Sequence, residues 1–398
     1  MIRATDYKGK LLGNVDFIEA SWERKWSEPG EFMVYIALAE YNRLDALGMK
    51  YLENVGRPET GVIQKIEYKR ETSGPTVTVS GKFVDALLDF GAYRKTQVVS
   101  ASTAAAVKTA ITSYISNAIA GVTVGSSTYK PLKSVTIASG SSFPASADVS
   151  IDPDMQMGEA IYSILSGTGY GLLTSVAAYP AADGSGAVGL SVKFAPGAER
   201  VEGDAGVFFG KAYNNVDSMS YTLDESAEFC LYEILQEVEA GVYGSYSSSY
   251  FPIKFTEVEN GENKYFIGCT YYYDSNRPGN LGACYPKKIL KTSLSSDECD
   301  LKVTTAANQQ KIRNLMQKKA QLDMLNHYKI ETISINVIQE RFTYLQDYDL
   351  GDRCVALIDD MEQLYYARIE QINETHRSNR IDVELVLGTP SKQRWRTR

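Results

Sequence analysis

Apolar and polar residues alternate with a period of two near the end of this chain. Cys354-Val355-Ala356-Leu357-Ile358 and Leu364-Tyr365-Tyr366-Ala367-Arg368-Ile369 are followed by Ile381, Val383, Leu385 and Leu387, interleaved with Asp382 and Glu384. That period predicts an antiparallel meander over Arg341–Gly388 with one buried and one wet face. Tyr348-Asp349-Leu350-Gly351-Asp352-Arg353 is its first turn, because Gly accepts positive φ and Asp hydrogen-bonds nearby backbone. Asp359-Asp360 and Arg377-Ser378-Asn379-Arg380 supply the next two.

The same pattern occurs near the N-terminus. Ile63, Ile66, Val77 and Val79 recur as Ile369, Ile372, Val383 and Leu385, each pair 306 positions apart. A polar turn separates the strands in both places, Thr72-Ser73-Gly74-Pro75 and Ser378-Asn379. Either two long hairpins look alike by chance, or the chain holds an internal repeat that sets its whole architecture.

Other elements follow in order. Val15–Glu23 and Phe32–Leu38 read as strands joined across Glu28-Pro29-Gly30, with Trp22, Trp26 and Phe32 as one hydrophobic cluster beneath the hairpin. Gly61–Tyr68 and Thr76–Gly81 form a second hairpin, closed by a short helix or strand over Phe83–Phe90. Ser102 or Thr103 caps an Ala-rich helix through Ile119, with Gly121 at its end, and Asp154 caps another over Met155–Leu165. Between them the Ser/Thr-rich Thr136–Ser150 reads as a loop or an irregular edge. Tyr170–Tyr179 and Ala187–Phe194 are strands joined by Ala182-Asp183-Gly184-Ser185-Gly186.

Strand composition returns at Gly206–Tyr213, Ser218–Thr222, Glu228–Tyr243, Ile253–Val258 and Tyr265–Tyr273, and 275–300 reads as surface loop. Thr304 or Thr305 starts a helix through His327, with Ile312, Leu315, Met316, Ala320, Leu322 and Leu325 near 3.6 spacing. The basic end, Lys392–Arg398, reads as a frayed tail.

At 398 residues the chain exceeds one ordinary core, and roughly two to four domains are expected. Apolar content of 44% with 23% charged residues fits an ordinary globular protein. A net charge of −8 argues against wrapping nucleic acid, although the wall of a channel can be negative. No run of 18 apolar residues suggests a membrane anchor, and the first residues lack a signal-peptide pattern, so folding in a cytoplasm is expected. Cys230, Cys269, Cys284, Cys299 and Cys354 are odd in number without Cys-x-x-Cys spacing, which disfavours a disulfide framework or zinc site. Twenty-seven Tyr against two His suits strands and subunit interfaces.

Catalytic constellations are not found. Gly-x-Ser-x-Gly, His-Glu-x-x-His and a complete phosphate-binding loop are missing. His327 falls at a helix end and His376 at a hairpin turn. Asp347, Asp349 and Asp352 are spaced like calcium ligands, but Ile358 stands where a bidentate Glu is needed. Asp152 and Asp154 suit a helix start. No catalytic residue, cofactor or metal site is expected.

Gly61-Val62-Ile63-Gln64-Lys65-Ile66-Glu67-Tyr68, Val77-Thr78-Val79-Ser80-Gly81-Lys82-Phe83-Val84-Asp85-Ala86-Leu87-Leu88-Asp89 and Tyr348-Asp349-Leu350-Gly351-Asp352 together resemble the phage tail hub family, the hubs of long-tailed phages and the baseplate hubs of contractile phages and phage-derived bacteriocins. Gly206-Val207-Phe208-Phe209 and Asp217-Ser218-Met219-Ser220-Tyr221 are similar to the family's middle, while 100–200 adds little. The resemblance implies an α+β, mainly β fold with two tube-protein-like β-barrel modules and an inserted α+β domain. The expected division is 1–95, with strands near 206–240 as candidates to complete that module, then 96–205, 206–303 and 304–398.

It also implies a homotrimer at the tail tip, three chains presenting six similar modules to a sixfold tube. Implied partners are the tail tube or distal tube protein and a spike or tip protein, with the tape-measure protein a further candidate. Specific nucleic-acid binding and a membrane anchor are not implied. The location implied is a virion or tail-like particle assembled in a bacterial cytoplasm. A spike or cell-wall enzyme is expected as a separate chain, none being visible before Arg398. Two alternatives stand beside this: a receptor- or glycan-binding tail-tip protein, from Tyr243, Tyr246, Tyr250, Tyr271, Tyr272 and Tyr273, and a cell-wall hydrolase using Asp/Glu pairs that the sequence does not place in space.

Overall fold

A computed structural model describes residues 1–72, 74–93, 95, 97–151, 155–180, 187–226, 229–239, 254–260, 263–275, 287–296, 298–301, 305–324, 327, 330–377 and 380–388. Asp152, Asp154, the 182–186 turn, Ser378-Asn379, Tyr243, Tyr246, Tyr250, Cys284 and the basic end lie outside these. The chain divides into two compact units, Met1–Thr222 with Glu331–Arg398, and Leu223–Ile330.

In the first unit, period-two segments become β1 (Ile2–Asp6), β2 (Leu11–Asn14), β3 (Phe17–Lys25) and β4 (Glu31–Ala37), then helix α1 (Leu38–Asp45). β5 (Met49–Asn54), β6 (Thr60–Glu71) and β7 (Gly74–Phe83) follow, and a 3-10 helix over Val84–Phe90 closes the module. Its core gathers the inward positions Ala20, Trp22, Phe32, Val34, Ile36, Val77, Val79 and Phe83. Trp22 lies against Phe32 and Phe83, with ring centroids 5.6 and 4.8 Å away.

The inserted segment contains β8 (Gln97–Ala101), α2 (Ala104–Ala118), β9 (Val122–Val124), β10 (Ser127–Tyr129), β11 (Ser134–Ile137), β12 (Ala147–Ile151), α3 (Met157–Leu165), β13 (Tyr170–Ala178) and β14 (Gly189–Pro196). Thr103 caps α2, its hydroxyl accepting from Ala106 N at 3.2 Å. α3 starts two residues later than its pattern suggested, because Gln156 and Glu159 form a reciprocal capping box. The Ser/Thr-rich stretch read as a loop or an irregular edge takes in the end of β11 and most of β12, whose pairing with β14 and β8 is a tertiary matter that local composition does not report.

β15 (Phe208–Phe209) and β16 (Val216–Asp224) come next in sequence. The second unit holds β17 (Leu231–Glu239), β18 (Lys254–Asn260), β19 (Asn263–Tyr273), β20 (Lys287–Thr292) and α4 (Ala306–Met324). Its sheet order is β18-β19-β17-β20. β20 falls where surface loop was expected. It pairs parallel with β17, a contact that turn residues on either side do not disclose.

Back in the first unit lie β21 (Ile330–Val337), β22 (Arg353–Ile358), β23 (Gln363–Arg377) and β24 (Arg380–Gly388). The protein is mainly β with few helices, the α+β class expected. Its main sheet runs β16-β21-β24-β23-β3-β4-β7-β6-β5-β1-β2, with β15 and β22 off this path.

Two expected boundaries differ from those observed. The helix assigned to the final module packs instead on the middle sheet, where Ile312, Met316, Ala320 and Met324 are covered by Phe229, Tyr232 and Ile234. An amphipathic stripe shows that a helix must be covered but not by which sheet. None of the strands near 206–240 considered for completing the first module joins it: β15 pairs with β22 and β16 with β21 in the last module, and β17 lies in the middle sheet.

Candidate functional site: the joint between the modules and the sheet edges

The 306-residue repeat is a repeat of pairing as well as of residue type. In β6–β7, Ile63 faces Gly81, a bulge follows, and Lys65, Ile66 and Tyr68 face Ser80, Val79 and Val77 up to Glu71–Gly74. In β23–β24, Ile369 faces Leu387, a bulge follows, and Gln371, Ile372 and Glu374 face Val386, Leu385 and Val383 up to Arg377–Arg380. Every partner, the bulge and the turn are displaced by 306. Bulges re-aim a strand and are not placed by composition, so a coincident bulge favours a repeat over a chance likeness of two hairpins. The flanking strands agree: β4 on β7 matches β21 on β24, and β5 on β6 matches β22 on β23.

The modules follow one another head to tail. β3 starts the first module's path and lies antiparallel on the outer edge of β23, Gln371–Arg377 facing Lys25–Glu19. The strand then passes from one core to the other. Trp22 belongs to the first, while Trp26 lies in the second with Phe209, Tyr348, Ile369 and Leu385. The cluster expected under the first hairpin is therefore divided between two cores.

Gly351, in the turn after Tyr348, has φ +87°, and a Cβ there would lie 2.3 Å from Trp26 Cζ3. Gly351 is thus required twice, by its backbone and by the indole above it.

Charged groups from both modules meet at this joint in a buried cluster. Arg24, 1% exposed, donates from Nε to Glu59 Oε1 at 2.8 Å and from Nη1 to the Tyr344 hydroxyl at 2.7 Å and Asp349 Oδ1 at 2.5 Å. Arg57 grips Glu374 with two bonds, Nε to Oε1 at 2.6 Å and Nη2 to Oε2 at 2.7 Å. The Tyr344 hydroxyl donates to Glu374 Oε1 at 2.9 Å, and Asn54 Nδ2 to Oε2 at 3.3 Å. His376 Nε2 lies 2.9 Å from Glu374 Oε2 and 3.2 Å from Asn54 Nδ2.

Burial alone would push the Glu374 carboxyl up. Hydrogen bonds from His376, Arg57 and Tyr344 and the Arg57 charge outweigh it and hold the group at about 2. At Glu370, on the opposite phase of β23, burial dominates and pushes the carboxyl up to about 7 despite the Ser27 hydroxyl bond. Asp85 is likewise raised by burial to about 7, against the Tyr162 hydroxyl that donates to it at 3.0 Å.

A buried ion cluster adds less stability than its short distances suggest, because desolvation offsets the attraction. Its effect is discrimination. A one-residue slip of β3 on β23 would turn Glu374 away from Arg57 and leave charges buried without partners.

The three aspartates spaced like calcium ligands have separate partners. Asp347 accepts from Thr343 N, Asp349 from Arg24, and Asp352 from Arg200 and Ala198 N. His376 is inside β23 and 3% exposed, not at the hairpin turn. β23 continues past it, since turn and strand end were set by register rather than by the first polar residues. The cluster itself escaped the sequence reading, though a signal existed. Arg24 shares the inward phase of Ala20 and Trp22, and Glu374 and His376 share that of Ile372.

Both ends of the repeated path are sheet edges. β6 pairs with β5 only through Thr60, Gly61 and Val62, and from Gln64 to Tyr68 no further strand joins it among the described residues. Ile66 and Tyr68 are 49% and 57% exposed, whereas their equivalents Ile372 and Glu374 are fully buried under β3. β16 is the other end. Tyr271 and Tyr273, from the aromatic run, are exposed on β19 of the second unit.

No family model matches the sequence, and no curated protein matches it. Among solved structures, the tail protein from Neisseria meningitidis aligns with a TM-score of 0.50 at 16% identity, covering 97% of this chain and 95% of that one. The 43 kDa tail protein of prophage MuSo2 from Shewanella oneidensis aligns at 0.48 and 12% identity over 98% of both chains. The prophage tail protein gp18 from Listeria monocytogenes aligns at 0.44 and 11%, over 98% and 95%. The first of these supports the fold, and it extends over nearly the whole of both chains. This chain therefore shares its fold with a tail protein, which is where the resemblance of its short strings had pointed.

Proposed function

We propose that this protein is a structural hub at the tip of a tail, a homotrimer that joins a sixfold tube to a threefold spike or tip complex. The observation that carries the reading is the repeat of strand order, register and bulge between two modules of one chain. Two quasi-equivalent modules let one chain take the place of two subunits, so three copies close a ring of six. Such a hub acts through interfaces rather than turnover. Its partners are the tail tube or distal tube protein on one side and a spike or tip protein on the other, with the tape-measure protein a candidate for the bore. It works in a virion or tail-like particle.

The test is the mass of the assembled protein, measured in solution and in the particle. Three copies per assembly are expected, and two, four or six would overturn the trimer.

A further inference from the structure

Head-to-tail repetition implies two equivalent seams per chain, and one of them is filled within the chain: β3 on β23. The strand equivalent to β23 is β6, whose outer edge from Gln64 to Tyr68 carries no strand among the described residues. The strand equivalent to β3 is β16, 199 positions later. Both are nine residues long, and each starts its four-strand path. The register corresponds as well. Asn336 Nδ2 donates to the Ser218 hydroxyl at 2.7 Å, at the place on β21 and β16 where Tyr35 faces Glu19 on β4 and β3.

We propose that the outer edge of β6 is filled by β16 of a second copy of this chain, antiparallel and in the register β3 holds on β23. This rests on the ring reading above and names its contact. Shifting the β23–β3 pairs by 306 and 199 places Lys65 opposite Asp224, Ile66 opposite Leu223, Glu67 opposite Thr222 and Tyr68 opposite Tyr221.

Three observations fit this occupant. Exposed edges carrying apolar side chains are aggregation hazards unless a strand covers them, and strand addition is a common way to cover them. The exposed apolar residues of the two edges, Ile66 and Tyr68 on one and Leu223, 45% exposed, on the other, meet on one face in this register and no longer do so after a one-residue slip. Lys65, which pairs with Glu67 at 2.8 Å within its own chain, and Asp224, which accepts from Ser226 N at 2.8 Å, are of opposite charge. On the inward phase the seam between copies is thus apolar, Ile66 with Leu223, where the seam within the chain carries charged side chains, Arg24 opposite Ile372 and Glu374 opposite Trp22. Because the edge given differs from the edge taken, the contact is heterologous, and it must close on itself or run on as a filament.

The register can be tested by cross-linking. Trp26 N donates to Glu370 O at 2.9 Å, so Asn373 and Glu23 are a non-hydrogen-bonded pair. Glu67 and Thr222 inherit that geometry, with Cα atoms about 4.5 Å apart, within the span of a disulfide. The full-length Glu67→Cys/Thr222→Cys double variant, oxidised after assembly, should give chains linked to one another through a 67–222 peptide. The off-register Glu67→Cys/Ser220→Cys variant should give at least about tenfold less, and the single variants report the background of the native thiols. Ile66→Asp, on an exposed edge, should leave the monomer folded and abolish the assembly.

A 67–222 link within single chains, or equal linking of the off-register pair, would overturn the seam. So would an assembly of correct mass that links neither pair, and that result would leave the trimer standing. A folded protein that stays monomeric at every concentration and links neither pair would remove both.

Discussion

Glu374→Gln removes the negative charge at the centre of the joint while keeping the side chain's shape. In the folded protein the carboxyl is held at about 2 against an ordinary 4.5. At 1.36 kcal/mol per unit, its ionised form contributes about 3 kcal/mol. The independent figure for breaking a buried ion pair, about 3–5 kcal/mol, agrees, since the variant leaves Arg57 without its partner. The sign follows from the depressed value. The contribution is complete above the unfolded carboxyl's range, near 4.5, and is lost as pH falls through 4.5 toward 2. Urea unfolding followed by fluorescence, with Trp22 and Trp26 on either side of the joint, should show the variant weaker by about 3 kcal/mol at pH 7. The gap should narrow at pH 4 and fall to about a quarter of its pH 7 size at pH 2.5. A gap below about 1 kcal/mol at pH 7, or one that stays constant from pH 7 to pH 2.5, would refute the reasoning.

Gly351→Ala should destabilise the last module by about 2–4 kcal/mol, from positive φ and the clash with Trp26, seen as a lower urea midpoint with a red-shifted tryptophan emission. Glu370→Gln should act in the opposite direction to Glu374→Gln. Because burial raises Glu370 to about 7, the wild-type protein loses stability as pH rises from 4.5 through 7, by up to about 3 kcal/mol. The variant should match wild type at pH 4.5 and exceed it at pH 8, as thermal melts at the two pH values would record.

Elements with strong periodicity were legible in the sequence: the final meander, both repeated hairpins, the Thr103-capped helix and the stripe of α4. The offset between Ile63 and Ile369 was legible too, and its meaning became plain only when the bulges of the two hairpins proved to coincide. Partner choice was not legible. α4 shows that it must be covered, yet nothing in its stripe names Tyr232 and Ile234. β16 reads as a strand whichever module receives it, and β11 and β12 are strands of four and five residues defined by their pairing. The cluster around Glu374 joins residues more than 300 positions apart, and only the misplaced charges on inward phases, Arg24 and Glu374, announced it.

The central claim is that one chain carries two equivalent modules so that three chains complete a six-module ring. Direct imaging of the assembled protein at a resolution that separates strands tests it best. The account predicts a closed ring of three chains in which six copies of the β3–β4–β7–β6 arrangement, three from each module, surround one bore at the same level. A ring of another copy number, or modules lying at different levels away from the bore, would contradict it.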